Sequence, residues 1–439
     1  MSLTNLRRQH AVGQGFFHSA ELHDEDGIRL RYVYDCGAMT GYARSRCGRI
    51  RAHLRTVGAR SVLDLLFISH AHADHLNGLP QLLHAKTGVR VDTIVLPYFD
   101  VIERLIGFAR DATEDPATTA DGFYRDFVIS PVAALSRFSP RQIIFVRSAG
   151  EDGAGAPDLG GDPDRPGPEV AGPDTRKGAA WKLVGRGVLF GDDGENAPTP
   201  SSGPLVATMP DSMGIAVPGR GGAAGHWLLS PFIDPAVERK RDVFKSALRD
   251  ALNDGKPPSD QIGAADFDDW IHDRRNREVL VLERVKELSV AYATVEKDVN
   301  VSSMCLYSGP LPDPAAPPGR YFGKFGRWSS RTKGSMGWLA TGDADLGDDT
   351  RRSAFLVHYE SLLEHVVTLT IPHHGSERNF DPELLTRVDP SFCVAAAAPV
   401  GTWRHPGTAV VQAIASHGLF LSVVTSATSS QVEERAVSA

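Results

Sequence analysis

The feature that most constrains this chain is a strand-length apolar run that stops at a cluster of metal-capable side chains. Residues 63–69 read LDLLFIS, and they run straight into His70, Ala71, His72, Ala73, Asp74 and His75. A short run of branched apolar residues bounded by polar ones is the pattern of a buried strand. A strand end opening into a tight loop is where α/β proteins place chemistry. Ala71 and Ala73 let such a loop curl freely, so His70 and His72 can point the same way. Asp74 and His75 fall near the start of the next helix and can turn toward a second point. Imidazoles with a carboxylate suit zinc or a similar transition metal. Unrelated surface histidines have no reason to gather at this spacing behind a strand.

Further runs of the same kind occupy the first third: LRYVYDCG (30–37), DTIVLPYF (92–99) and RQIIFVRS (141–148). Helix-length segments separate them, such as 76–88, which has Gly88 as a stop. The last third returns to the same punctuation. Strands are expected at 302–309, 337–343, 366–372, 392–398 and 419–425, with a helix at 408–418 ending at Gly418. Strands alternating with helices predict an α/β architecture. Residues 151–180 are rich in Gly, Pro and acidic residues and read as a flexible linker. Residues 181–300 are less regular, with a strand-like 226–233 and charged helical patterns at 236–253 and 268–288. They read as an insertion, packed on a main domain whose halves are 1–150 and 301–439.

A length of 439 residues exceeds one average domain. Apolar content of 41% and charged content of 23% are ordinary for a soluble globular chain. The formal charge of −7 supplies no global basic field, so any nucleic-acid contact must be local. Cys36, Cys47, Cys305 and Cys393 form no CxxC pair and read as reduced thiols. The first residues lack an apolar signal core, and no stretch approaches the ~18 apolar residues of a membrane span. A soluble, cytoplasmic protein without a membrane partner is expected.

Two later strand ends add to the first cluster. GWLATGDAD (337–345) ends at Asp343, and TLTIPHHGS (368–376) ends at His373 and His374. A strand-terminal Asp alone is more often a turn residue. With His70, His72, Asp74 and His75, these residues make up ligands for two divalent ions, zinc or manganese. Asp343 is the natural bridge, and Asp345 is a loop neighbour.

The HxHxDH motif, a later strand-terminal Asp and a later strand-terminal His together resemble the metallo-β-lactamase-fold hydrolases. The resemblance covers both ends of the chain and not its middle. It implies an αββα sandwich with the metal site at one sheet edge and an inserted segment between the halves. The second half is similar to the nuclease-type domain of the DNA-uptake protein ComEC and its soluble relatives. NVSSMCLY (300–307), LATGDAD (339–345), TIPHHGS (370–376) and WRHPGTAVVQAI (403–414) carry that likeness. At the N-terminal end VGQGFF and YVYDCG fit as well, with Asp35 and Gly37 as the structural Asp-x-Gly. Phe16 departs from the family's GQGD. Many lactamase-fold enzymes also place a histidine ligand between HxHxDH and the bridging Asp, and residues 90–340 offer no convincing candidate. NVSS stands there, as in the nuclease-like relatives, so one ion is expected to be completed by water or substrate. The resemblance leaves open which of His373 and His374 ligates. His373 is favoured as the nearer to the strand end, with His374 facing substrate or supporting the ligands.

The implied activity is a binuclear phosphodiesterase or nuclease. Paired ions lower the pKa of a bridging water to about 7, giving a hydroxide nucleophile. Asp74 would orient it, and His405 would stabilise the transition state or protonate the leaving group. Ser376 would contact phosphate. The stretch 319–334 interleaves Arg320, Lys324, Arg327, Arg331 and Lys333 with Tyr321, Phe322, Phe325 and Trp328. That mixture suits phosphates and stacked bases, so Lys324 and Arg327 are expected to bind substrate near the metal face. The plainer reading is a solvated loop with a local aromatic cluster. Two other functions stay open: a hydrolase of small esters, lactones or thioesters, and a metal-binding regulatory protein.

Overall fold

A computed structural model of the chain describes residues 2–59, 61–84, 86, 88–150, 155–157, 181–185, 190–191, 203–218, 226–234, 238–295, 302–312, 317–326, 328–399 and 404–438. In chain order its strands are β1 (Thr4–Gln9), β2 (Phe17–Asp24), β3 (Gly27–Cys36), β4 (Val62–Phe67), β5 (Arg90–Pro97), β6 (Gln142–Arg147), β7 (Lys182–Gly185), β8 (Phe190–Gly191), β9 (Leu205–Pro210) and β10 (Met213–Val217). They continue as β11 (Trp227–Asp234), β12 (Ser303–Pro310), β13 (Gly319–Phe325), β14 (Trp328–Gly334), β15 (Gly337–Ala340), β16 (Val366–Thr370), β17 (Phe392–Ala396), β18 (Phe420–Val424) and β19 (Val432–Val437). They form two large mixed sheets. One runs β14-β13-β19-β1-β2-β3-β4-β5-β6-β9-β8, the other β18-β17-β16-β15-β12-β11-β10-β7. The chain is therefore mixed α/β, with helices packed on both sheets.

Alternation along the strands explains the layering. In β3, Tyr32 and Tyr34 join a cluster shared between the sheets, while Val33 faces outward. In β12, Met304 and Leu306 face that shared interior, and Cys305 and Tyr307 face out. The outer face of the first sheet is covered by helices Ala43–Val57, Val101–Glu114 and Gly122–Ile129, and by helices from residues 238–294. The outer face of the second is covered by Asp349–His358, Glu383–Val388 and Thr408–Ser416.

Residues 181–300 do two different things. β9 extends the first sheet beside β6, and β7, β10 and β11 complete the second. Those strands are integral to the sheets. The helices Glu238–Asn253 and Val285–Thr294 instead pack through Phe244, Leu248, Leu288 and Tyr292 on the first sheet's helical layer. The helix expected over 268–288 breaks into Phe267–His272, Arg274–Glu283 and Val285–Thr294. Asp273 causes the first break, since its carboxylate accepts the Arg275 N–H as an N-cap. The helix expected over 76–88 is likewise two single turns, Ala73–Leu76 and Leu79–Leu82. Pro80 opens the second turn, where its missing N–H costs nothing. Most of the linker expected at 151–180 lies outside the described residues. Among the described residues no helix is long and apolar enough to cross a membrane.

Two buried acids stitch the assembly. Glu434 on β19 faces Arg7 on β1 at 3.4 Å, with side chains 3% and 0% exposed. It also accepts hydrogen bonds from the Tyr321 and Thr368 hydroxyls, tying β13 and β16 to the same point. Asp211, in the turn after β9, accepts the Ala149 N–H at 2.7 Å and the Ile233 N–H at 3.1 Å. It thereby links the two sheets.

Glu434→Ala would leave the Arg7 guanidinium buried without its counter-charge. A loss of about 3–5 kcal/mol is expected in denaturant unfolding. Burial pushes the Asp211 carboxyl up to about 6 from an ordinary 3.8, against the backbone N–H groups that favour its charge. Between these values the unfolded chain releases the proton while the folded one keeps it, so this group's contribution falls as pH rises. Relative to Asp211→Asn, the wild type should lose about 2 kcal/mol of stability between pH 4 and pH 6. A flat difference over that range would refute this.

Candidate metal centre

The centre forms where three strands end. β4 brings His70, His72, Asp74 and His75, β15 brings Asp343, and β16 brings His373 and His374. The carboxylate of Asp343 lies in the middle. Its oxygens are 3.4 Å from His70 Nε2, 3.6 Å from His75 Nε2, 3.5 Å from His373 Nε2 and 3.9 Å from His374 Nε2. Asp74 is 3.4 Å from His374 Nε2 and 3.8 Å from His75 Nε2. Ligand atoms of His70, His72 and Asp74, of His70, His75 and Asp343, and of Asp74, His75 and His374 each fall within 4.8 Å of one another.

Neighbouring groups fix which ring nitrogen of each histidine faces this point. Asp35 is buried and sits in the left-handed region at φ 56. Its carboxylate accepts from the Ser69 N–H at 2.7 Å, the Ser69 hydroxyl at 2.6 Å and His75 Nδ1–H at 2.8 Å. The Ser69 hydroxyl donates to Asp35, so it accepts from His70 Nδ1–H at 2.8 Å. His374 Nδ1–H donates to the Ala396 carbonyl at 2.7 Å. His70, His75 and His374 therefore all turn Nε2 toward the two carboxylates. Outer partners of this kind are what metal-bound histidines require.

The residues fit a metal ion. His70 Nε2 and His75 Nε2 are buried without a hydrogen-bond partner among the described residues, a cost that an ion would remove. The electrostatics agree. Burial opposes a charge on His75, yet Asp74, Asp35 and Asp343 outweigh it and push the imidazole up to about 9. Burial would raise Asp343, but His373, His70, His374 and His75 hold it well below the usual carboxylate range. The centre calls for positive charge.

Close backbone contacts assemble the loops. A Cβ on Gly37 would stand 2.4 Å from the Asp74 carbonyl, so only glycine lets the Asp-x-Gly turn press on the HxHxDH loop. Phe16 stacks on the His75 ring with centroids 6.2 Å apart. The Asp343 N–H donates to the Ser303 hydroxyl at 3.1 Å, and Ser302 donates to Glu103 at 2.6 Å. These serines belong to the NVSS motif; its Asn300 and Val301 lie outside the described residues. His373 and His374 both have positive φ, 46 and 58, strain that the surroundings must hold. Gly375 follows at φ 87 against Pro406, and its carbonyl accepts the Gly407 N–H at 2.9 Å.

Several expectations change. His374, not His373, joins Asp74 and His75 in a metal-capable group. The reason is the left-handed turn, which brings the second histidine back over the strand ends. His373 Nε2 instead accepts from Arg110 at 3.1 Å. His405 lies beside His373, ring centroids 6.3 Å apart. Burial, then His374 and His373, push it down to about 4, so it is neutral near pH 7 and suited to accept a proton before it can give one. Ser376 is half-buried and donates its N–H to the His373 carbonyl at 2.9 Å.

The basic-aromatic stretch is not at this face. It forms the β13–β14 hairpin. Phe325 packs on Phe392 at 4.8 Å and Trp328 on Phe420 at 4.4 Å. Phe392 and Phe420 open β17 and β18, which run parallel to β16, whereas the metal-capable residues follow the far ends of β15 and β16. Lys324 is 4.0 Å from Glu433 and does not line the cleft over the centre. Core packing claimed Tyr321 and Phe325 and carried the lysine with them. Arg327 lies outside the described residues.

The cleft over the centre spans about 370 Å³, open solvent included. Beyond the expected residues it is lined by Gln14, Arg110, Asp111, Glu114 and Asp115. None was singled out from sequence. The one usable signal was local: Asp100 and Glu103 form a capping box that starts the helix Val101–Glu114. Only the tertiary fold brings that helix's last turn over the centre.

Asp35→Asn keeps the shape of the side chain but cannot accept from every donor that Asp35 serves. Metal affinity should fall about 10–100-fold in competition with a chromogenic chelator, with an unchanged far-UV spectrum. No family model matches this chain, and no curated protein matches it significantly.

Proposed function

We propose that the chain is a metal-dependent hydrolase on the αββα sandwich of the metallo-β-lactamase fold, cleaving phosphodiester bonds in small substrates. The observation that carries this is the convergence of His70, His75 and His374 Nε2 on Asp74 and Asp343, each ring held from behind. His70, His75, His374, Asp74 and Asp343 would hold the ion. A bound divalent ion supplies Lewis-acid polarisation and an activated water. Asp74, 16% exposed, is the ligand that opens on the cleft and can orient that water. Burial would raise its pKa, but His75 and His374 keep it ionised. His405, neutral and beyond His373, can take up or relay a proton. The phosphodiester reading draws on the HHGS and RHPG motifs and on Arg110 at the cleft wall.

The size limit comes from charge and shape. Asp111, Glu114 and Asp115 line the cleft, and the basic hairpin lies at the other end of the sheets. A long polyanion would meet repulsion there. The same acidic rim favours the second reading, a hydrolase of uncharged esters or lactones.

Zinc- or manganese-loaded protein should turn over bis-p-nitrophenyl phosphate and dinucleotides faster than single- or double-stranded DNA or RNA. Asp74→Ala should lower kcat/KM about 10²–10⁴-fold. Lactone or thioester turnover without phosphodiester cleavage would sink this reading in favour of the second. Full metal loading with no turnover of any substrate would leave the regulatory reading.

A further inference from the structure

We infer that Arg110 takes the place of a second metal ion, so that the centre binds one ion per chain and not the pair that its ligand count suggests. This rests on the metal reading above. The Arg110 side chain is buried, and its Nη1 lies 3.3 Å from His72 Nδ1 and its Nη2 3.1 Å from His373 Nε2. A guanidinium has only donors and stays charged. His72 Nδ1 and His373 Nε2 must therefore face it with lone pairs, the same lone pairs that an ion would need.

The other ring nitrogen, His72 Nε2, is buried without a hydrogen-bond partner among the described residues, but it lies on the far side of the ring from the centre. That edge packs on the helix carrying Arg110, where a Cβ on Gly107 would stand 3.2 Å from His72 Cδ2 and 3.5 Å from Nε2. Arg110 in turn cannot swing away easily. Its Nε–H donates to Glu114 at 2.9 Å. Its helix is pinned by the Asp100–Glu103 capping box and by Arg104, which donates to the Val128 and Ile129 carbonyls.

Charge balance points the same way. Asp74 and Asp343 match one divalent ion, Glu114 matches Arg110, and Asp35 is held by His75 and Ser69. Asp111, the next acid, accepts the Ala73 N–H at 2.9 Å. Among the described residues, a second ion would find its imidazoles facing Arg110 and the cleft carboxylates Asp111, Glu114 and Asp115 already accepting from Ala73, Arg110 and Thr40. Arg110 also lines the cleft, so the positive charge a second ion would present to a substrate oxygen is supplied by a side chain.

The test is metal stoichiometry, by elemental analysis and calorimetric titration with Zn²⁺ and Co²⁺ on the full chain. Wild type should bind one equivalent. Arg110→Ala, checked for folding by far-UV spectrum, should bind two, with a second set of Co²⁺ visible bands. His72→Ala and His373→Ala should each keep one equivalent with affinity within tenfold of wild type. Those two variants decide the matter if Arg110→Ala does not fold. Two equivalents in wild type, one in a folded Arg110→Ala, or a hundredfold loss of affinity in His72→Ala would each overturn the inference. No binding at all by wild type would instead sink the metal reading on which it rests.

Discussion

The buried carboxylate of Asp35 is the point on which the centre depends. One side chain, held in a left-handed backbone turn, receives the Ser69 N–H, the Ser69 hydroxyl and His75 Nδ1–H. Through Ser69 it also sets the ring of His70. Two imidazoles of the candidate centre are thus oriented by one acid that does not itself face it. Burial raises its pKa, and His75 and Ser69 act against that rise. A buried charge is tolerable only when its partners are this complete. The adjacent Gly37, pressed on the Asp74 carbonyl, makes the same turn serve the loop that carries the ligands.

Around that point the two sheets contribute unequally. The first supplies the contiguous cluster after β4, and the second supplies isolated residues from the ends of β15 and β16. Their alignment relies on polar contacts between the sheets. Across the sheets, Met304 donates its N–H to the Ser69 carbonyl at 2.8 Å, and within the second sheet Ser303 receives the Asp343 N–H. The site is thus a property of the sheet-to-sheet register. This explains why strain collects there, in the consecutive positive φ angles of His373 and His374.

The hairpin β13–β14 shows how a plausible sequence pattern can be absorbed by the fold. Alternating basic and aromatic residues look like a nucleic-acid surface when read along the chain. As a strand, the alternation sends Tyr321 and Phe325 into the core and Phe322 and Lys324 to the surface. What reads as an interleaved binding patch is a strand with one buried face. Conversely, Arg110 has no motif to mark it. An arginine in an amphipathic helix normally reads as a solvated residue, and only packing against His72 and His373 makes it part of the centre.

The sequence by itself determined the local pieces. Most of the strands read from apolar runs, the HxHxDH cluster behind β4, Asp343 and the His373–His374 pair at later strand ends were all legible, because each depends on neighbours within a few positions. It did not determine how those pieces meet. Which histidine of the pair faces the ligands turns on a left-handed turn, and the helix Val101–Glu114 reaches the site only through packing on the first sheet. Strands β7 to β11 became integral because both sheets needed hydrogen-bonded neighbours beyond β6 and β12. These outcomes depend on contacts between residues far apart in the chain, whose energies local pattern does not encode.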